Sequence, residues 1–447
     1  MKIRTLSRST ASHQAPGSNV SRQPRNLDPA LHPFESAREY TRALNATKLE
    51  RVFAAPFVGD FGRGHVDGVY SISNDPGSLE RFASGSGDGV VKVWDLPSRD
   101  EVWQTQAHEN IVKGVCWTRD RRLLSCGTDR AVQLFDPYGT SPGSAPIATY
   151  LGSAAFTGIS QKRSEPKFAA SSNLISIYDL SRPSSTPSES FSWPTSVDTF
   201  TSVAFNPVET DLLAATSADR SLTIFDQRTH SPAFPRTVLT FACNSISWNP
   251  MEAFNLAVAS EDHNIYLFDV RNTARALNIL KDHVAAVMSV AFSPTGEELV
   301  SASYDRSVRL WHRAKGHSRD VYTTKRMQRV FAATFTSDNN YVVSGSDDGN
   351  LRLWRAQAAS RAGVKSARER QKREYDEALK ERYKHMPEIK RILRHRHLPR
   401  QVKKAAEIKQ EELQALRRRA ENERKHTKKG KKRPRTEREK MVLAREQ

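Results

Sequence analysis

Three histidines, His65, His108 and His283, each precede an aspartate, Asp88, Asp129 and Asp305, with serine-bearing apolar runs such as Phe82-Ala83-Ser84 and Leu299-Val300-Ser301 in between. Imidazole, carboxylate and hydroxyl are the parts of nucleophilic or general acid/base chemistry. Their spacing points elsewhere. Aspartates recur as Asp88, Asp129, Asp219, Asp262, Asp305 and Asp348, with Ser172 taking one turn in the series, and each keeps the same offset from a following aromatic residue. A catalytic constellation is assembled once, whereas a group that recurs with a repeat belongs to the architecture of the repeat. Two other segments invite chemistry and fail on composition. Gly85-Ser86-Gly87-Asp88-Gly89 lacks the Lys and Ser/Thr of a phosphate-binding P-loop, and His395 and His397 have no Cys or second His pair at metal-ligand spacing. The expectation is a non-enzymatic chain with no cofactor, no metal and no small-molecule substrate.

The elements that carry these residues are units of one kind. The aromatic end points Trp94, Phe135, Tyr178, Phe225, Phe268, Trp311 and Trp354 follow one another at intervals of 41, 43, 47, 43, 43 and 43 residues. Each has Val, Leu or Ile one and three residues before it, the period of a strand. Asp and Gly suit the turn ahead of that strand, because Asp accepts local backbone hydrogen bonds and Gly tolerates positive φ. Together these features resemble the WD40 repeat, in which each unit supplies four strands of a propeller blade. The resemblance covers Lys48 to Arg355 and implies an all-β, seven-bladed WD40 propeller followed by a basic α-helical extension. It also implies that His65, Asp88, Trp94, His108, Asp129, His283, Asp305 and Trp311 serve buried Asp-His-Ser-Trp hydrogen-bond networks, which the third, fourth and fifth units lack in part. The last unit stops after its third strand, and a ring left open there would expose sheet edges. The missing strand is expected from Leu49 to Val58, so the domains read as 1–47, a basic polar extension; 48–355, the closed propeller; and 356–447, a basic helical domain with a disordered tail. Polar linkers at Tyr138 to Ala148 and Ser181 to Thr195 read as solvated connectors on the rim.

Charge separates the parts. The chain carries +19, yet 356–447 accounts for +17 and 1–50 for +4, leaving −2 on the repeats. A segment of that density binds nucleic acid through its phosphates, in a salt-dependent way. Cys116, Cys126 and Cys243 show no CxxC spacing and read as buried reduced thiols of an intracellular protein. No apolar stretch approaches a membrane span, and Met1 to Thr10 lacks the apolar core of a secretory signal.

Within the extension, Tyr375, Leu379 and Tyr383 share one helix face, and Pro387 ends or kinks that helix. A second helix is expected from about Pro399 or Arg400 to Arg424, with Val402, Ala406, Leu413, Leu416 and Ala420 as a narrow stripe that docks on the parent protein or a partner. Acidic residues vanish from Lys390 to Lys404. The runs Tyr375-Asp376-Glu377-Ala378-Leu379-Lys380-Glu381-Arg382-Tyr383-Lys384-His385-Met386-Pro387 and Arg394-His395-Arg396-His397-Leu398-Pro399 resemble the hallmark of the Sof-type C-terminal domain. The family is the WD-repeat and SOF-domain proteins of the small-subunit processome. The resemblance implies a nucleolar assembly factor of the small nucleolar ribonucleoprotein that processes pre-ribosomal RNA, with the propeller as a protein scaffold. The residues expected to meet RNA or partners are Arg382, Lys384, His385, Lys390, Arg391, Arg394, His395, Arg396, His397, Arg400, Lys403 and Lys404.

Lys428, Lys429, Lys431, Lys432, Arg433 and Arg435 read as a nuclear localisation signal or as a further RNA contact. Met1 to Arg25, with Arg4, Arg8, Arg22 and Arg25, reads as another basic arm. A different class of function is also written here. Phe225-Asp226-Gln227-Arg228 and Phe268-Asp269-Val270-Arg271 resemble the aromatic-Asp-x-Arg motif by which propellers dock to adaptors of cullin-type ubiquitin ligases as substrate receptors. Arg228 and Arg271 would be the docking residues.

Overall fold

The computed structural model describes residues 28, 30–139, 145–182, 186–193, 198–229, 231–360, 363–364, 366–428 and 435–446. The Met1 to Arg25 arm, Lys429, Lys431, Lys432 and Arg433 lie outside the described residues, as do parts of both rim linkers. The chain divides into two compact units.

The larger unit holds a seven-bladed β-propeller. Blade one is built from Val69–Asn74, Arg81–Ser86, Val90–Asp95 and Glu101–Gln106, in antiparallel order. Blades two to six repeat the plan over 112–151, 158–191, 200–239, 243–280 and 287–322. Blade seven takes three strands from 330–355 and its fourth from Phe57–Asp60, which pairs antiparallel with Leu351–Arg355. The closing strand therefore comes from before the first repeat, but only the end of the segment expected to supply it is extended. Leu49 to Val52 instead finish helix α1, Glu35–Val52.

Each blade is held at one end by its turn. In six blades the residue after the turn aspartate has positive φ: Gly89 at 81°, Arg130 at 66°, Arg220 at 69°, His263 at 70°, Arg306 at 61° and Gly349 at 74°. The innermost strand of the same six blades carries a register shift beside that turn, between Val69 and Ser71, Val112 and Gly114, Phe200 and Ser202, Cys243 and Ser245, Val287 and Ser289, and Val330 and Ala332. A bulge re-aims the residue it skips. Here the skipped residues, Tyr70, Lys113, Thr201, Asn244, Met288 and Phe331, fall at the inner rim of the ring. Thr201 Oγ1 donates to the Cys243 carbonyl at 2.6 Å and Asn244 Nδ2 to the Val287 carbonyl at 3.0 Å, each tying one blade to the next. Blade three, with Ser172 in the turn, has neither the bulge nor the positive φ.

The aromatic end points lie between sheets, with Trp94, Trp311 and Trp354 at most 1% exposed. Cys126 and Cys243 are buried and free, and burial pushes the Cys126 thiol up to about 12. No described helix is long and apolar enough to cross a membrane.

The smaller unit joins α1 to α2, Ala367–Tyr383, and α3, Pro387–Arg394. Ser366 caps α2 by accepting from the Glu369 amide at 3.3 Å, and Pro387 opens α3, where its missing N–H costs nothing. The three helices close around Ala43, Leu379 and Ile389, each at 0% exposure, with Tyr40, Leu44, Tyr375, Tyr383 and Leu393 packed on them. Polar links finish the unit. The buried Glu39 carboxylate accepts from Arg382 at 2.9 Å and from the Tyr383 hydroxyl at 3.1 Å, and Tyr40 donates to Glu388 at 3.0 Å.

The 356–447 segment is thus split between two units instead of forming one domain: α2 and α3 pair with α1, while 398–446 belongs to the propeller unit. Replacing Leu379 with Ala removes the centre of the small core, at a cost of about 2–5 kcal/mol. Amide exchange in α1 and α2 is expected to accelerate while exchange in the propeller strands stays unchanged; unchanged protection of α1 would contradict this packing.

Candidate functional site

The turn aspartate works with both oxygens. One accepts from the amide two residues on: Val90, Ala131, Ser221, Asn264, Ser307 and Asn350, at 2.9 to 3.4 Å. The other reaches into the blade. In blade six the full network is present: His283 Nδ1 donates to Asp305 at 2.8 Å, Nε2 accepts from Ser301 at 2.7 Å, and Ser301 Oγ accepts from Trp311 Nε1 at 2.8 Å. Blade two keeps His108 with Asp129 and Ser125, both at 2.8 Å, but ends in Phe135, which has no N–H to give. In blade one His65 Nε2 meets Ser84 at 2.7 Å and Trp94 donates to the same hydroxyl, yet His65 Nδ1 lies 3.9 Å from Asp88, too far for a hydrogen bond.

Blades without the histidine recruit another donor for the carboxylate. Arg236 serves Asp219, the Tyr266 hydroxyl serves Asp262, and Arg352 donates to Asp348 at 2.5 Å. These substitutes lie within the blade's own strands. The serines of these networks, Ser84, Ser125 and Ser301, are fully buried, so their hydroxyls serve the packing of the blade. Burial dominates the electrostatics and holds both His65 and His283 in the neutral form, taking His65 from the ordinary 6.5 to about 4. Burial works to raise Asp305, but the His283 imidazole, with Arg309 and Ser307, outweighs it and holds the carboxyl well below the usual range.

The same end of the propeller carries helix α4, Arg400–His426. Its Lys409 donates to the His283 carbonyl at 2.7 Å; burial lowers the ammonium's pKa against the pull of Asp262, Asp282 and Asp305. Of the apolar stripe expected along α4, Val402 is buried, whereas Leu413 and Leu416 are 44% and 61% exposed. A short helix α5, Glu437–Lys440, follows, and Val442–Glu446 then adds a strand to the outer edge of blade four, pairing with Arg236–Leu239. Met441 and Val442 enter the core between blades four and five, and Arg236, already on Asp219, also donates to Glu446 at 3.0 Å. Lys409, Arg236 and the 442–446 strand were not singled out in the sequence. The local sign is the apolar run Met441-Val442-Leu443-Ala444, too short to mark a strand by itself.

The residues expected to meet RNA separate into groups. Arg382 is turned inward onto Glu39, Arg396 donates to the His395 carbonyl at 3.0 Å and is half-buried, and Lys384 pairs with Glu381. Arg382 is thus a structural cation, a correction that follows from the buried carboxylate it must neutralise. His385, Lys390, Arg391, Arg394, His395 and His397 are exposed in the helical unit, and Arg400, Lys403 and Lys404 are exposed on α4. Lys428 and Arg435 are also exposed. Arg228 and Arg271 sit at the opposite end of the propeller from the aspartate turns. Each forks onto its own blade's carboxylate, Arg228 on Asp226 at 3.1 and 2.9 Å and Arg271 on Asp269 at the same distances, with side chains 67% and 62% exposed.

A blade ring with aspartate turns defines a WD40 propeller, and residues 58–95, 100–136, 275–312 and 315–355 match the WD domain, G-beta repeat. The WD40 propeller of Doa1 superposes with a TM-score of 0.56 at 17% identity, over 67% of this chain and 96% of that one. Residues 356–442 match the Sof1-like domain. Protein SOF1 of Saccharomyces cerevisiae is 48% identical over 95% of this chain and 91% of its own length, and Protein sof1 of Schizosaccharomyces pombe is 52% identical over 96% of each. A protein of Danio rerio named DDB1- and CUL4-associated factor 13 is 43% identical over 99% of both chains. The chain belongs to the Sof1 family of WD-repeat proteins.

The buried imidazoles make stability depend on pH with a definite sign. Their folded-state pKa values lie below 6.5, so the unfolded chain takes up protons first. Stability is expected to be level above about pH 6.5 and to fall as the pH drops towards 4, with His65→Asn and His283→Asn together flattening the slope between pH 6.5 and 5. Denaturant midpoints at several pH values check this; a wild-type midpoint constant across that window would contradict it.

Proposed function

We propose that the protein is a non-enzymatic assembly factor of the small-subunit processome, required for processing of pre-ribosomal RNA and maturation of the small-subunit ribosomal RNA in the nucleolus. The observation that carries this reading is the end-to-end likeness to proteins named SOF1, including the Sof1-like segment that the propeller alone would not require. WD40 repeats by themselves name a scaffold. The exposed cations from Lys390 to Lys404 supply phosphate contacts, which hold RNA in place without reading its sequence. Lys428, Lys429, Lys431, Lys432, Arg433 and Arg435 serve nuclear import or extend the same contact. Propeller faces dock other processome proteins.

A second reading has its own observations: the relatives named DDB1- and CUL4-associated factor 13, and the exposed pair Arg228 and Arg271 in neighbouring blades. Both guanidiniums are already paired with Asp226 and Asp269, which presents each as a fixed fork at the blade edge. In this reading the protein docks to a ligase adaptor as a substrate receptor.

Depletion is expected to lower small-subunit ribosomal RNA and to raise the unprocessed precursor; normal levels of both would defeat the first reading. Arg228→Ala with Arg271→Ala is expected to abolish co-purification of a ligase adaptor while pre-ribosomal association survives. Adaptor recovery undiminished by the double variant would remove the second reading.

A further inference from the structure

The inner rim of the propeller is not uniform. Around blades four and five the bulge residues are Thr201 and Asn244, and each does its work through a hydrogen bond to the next blade. In blades seven, one and two the same position holds Phe331, Tyr70 and Lys113. Tyr70 stacks on Phe331 with ring centroids 4.6 Å apart, and Lys113 Nζ lies 4.8 Å from the centre of the Tyr70 ring. The row continues into the turn of blade six. Tyr304, 38% exposed, sets its edge on Phe331 at 5.8 Å, and the Arg329 guanidinium lies 5.3 Å from its ring centre.

Two residues beyond Tyr304 stands Arg306, exposed and at φ 61°. Blades one and seven place Gly89 and Gly349 at this turn position, because a side chain disfavours the left-handed conformation. The backbone therefore gains nothing from arginine. Among the described residues its guanidinium has no hydrogen bond or ion pair, whereas Arg121, also at positive φ but at the other end of the propeller, is held by Asp75 at 2.9 Å. Asp67 and Asp347 lie close enough to Tyr70 for their charge to add to burial in raising its pKa.

Aromatic faces interleaved with cations are the equipment for a single strand of nucleic acid, bases on the rings and phosphates on the charges. The geometry points to a single-stranded RNA site on this sector, with Tyr304 as the stacking platform and Arg306, Arg329 and Lys113 as its phosphate contacts. The inference rests on the proposed RNA-associated role and moves part of the RNA contact from the basic extension onto the propeller. A protein partner fits less well, since among the described residues the sector offers cation-covered ring faces and one exposed aromatic, Tyr304.

The test uses the full-length protein and a mixed-sequence single-stranded RNA carrying 4-thiouridine. Crosslinks are expected on the peptides holding Tyr304 and Arg329 as well as in 390–404. Arg306→Gly with Arg329→Gln should erase the propeller crosslinks and make the salt dependence of binding shallower by about 1.4, roughly 0.7 for each lost phosphate contact. The melting midpoint should be unchanged or raised, because glycine relieves the turn. Arg306→Lys should keep the wild-type slope, and Tyr304→Trp should keep the crosslink that Tyr304→Ala loses. Crosslinks confined to 390–404 overturn this site and leave the proposed function standing. No crosslink anywhere defeats direct RNA contact altogether, and loss of a co-purifying protein from the double variant with RNA binding intact makes this a protein-docking surface instead.

Discussion

One carboxylate in one turn organises six of the seven blades. An aspartate side chain that accepts from the amide two residues on closes the hairpin, and its second oxygen demands a donor from inside the blade. The positive φ that follows and the bulge in the facing innermost strand come with it. Blade three is the internal control. Its Ser172 still accepts from Leu174 at 3.3 Å, but a hydroxyl has no second oxygen, and the blade has neither bulge nor left-handed residue. Histidine is one solution among several for the inner donor. Arginine at Asp219 and Asp348 and tyrosine at Asp262 do the same work from a strand of the same blade.

The repeats were legible because their signals are local. Alternation, a turn aspartate and an aromatic end point lie within a few residues of one another, so neither the ring nor its number of blades needed distant information. What lay far apart in sequence was read less well. Closure from before the first repeat follows from the need to cover an edge, yet the closing residues are Phe57 to Asp60, and Leu49 to Val52 are helical. That helix hides its role because the side it buries, Glu39, Ala43 and Thr47, carries no apolar stripe; its partners are more than three hundred residues away in α2 and α3. The same distance concealed Arg382, whose charge reads as available until Glu39 is found beneath it. On α4 the reverse happened: the stripe through Leu413 and Leu416 reads as a docking face, but the described residues leave it largely open, and a lysine makes the contact to His283.

The two ends of the propeller differ in how they treat exposed arginine; the buried Arg236 and Arg352 are tied to turn aspartates. At the end away from the aspartate turns, Arg121, Arg228 and Arg271 are each forked onto a carboxylate and held in one place. At the turn end, Arg130, Arg220 and Arg306 stand exposed in a conformation that glycine would adopt more easily. Fixed forks suit recognition of one geometry, and free guanidiniums suit a partner that is long and variable in shape. Net charge conceals this arrangement, since the repeats carry nearly equal numbers of each sign.

The strand from Val442 to Glu446 covers an edge laid down about two hundred residues earlier, at Arg236 to Leu239. During synthesis that edge must wait, unpaired, while three more blades and the helices are made, and unpaired edges are where chains stick to one another. A chain lacking Val442 to Glu446 would present blade four with an open outer strand, together with an Arg236 stripped of Glu446, for quality control to find.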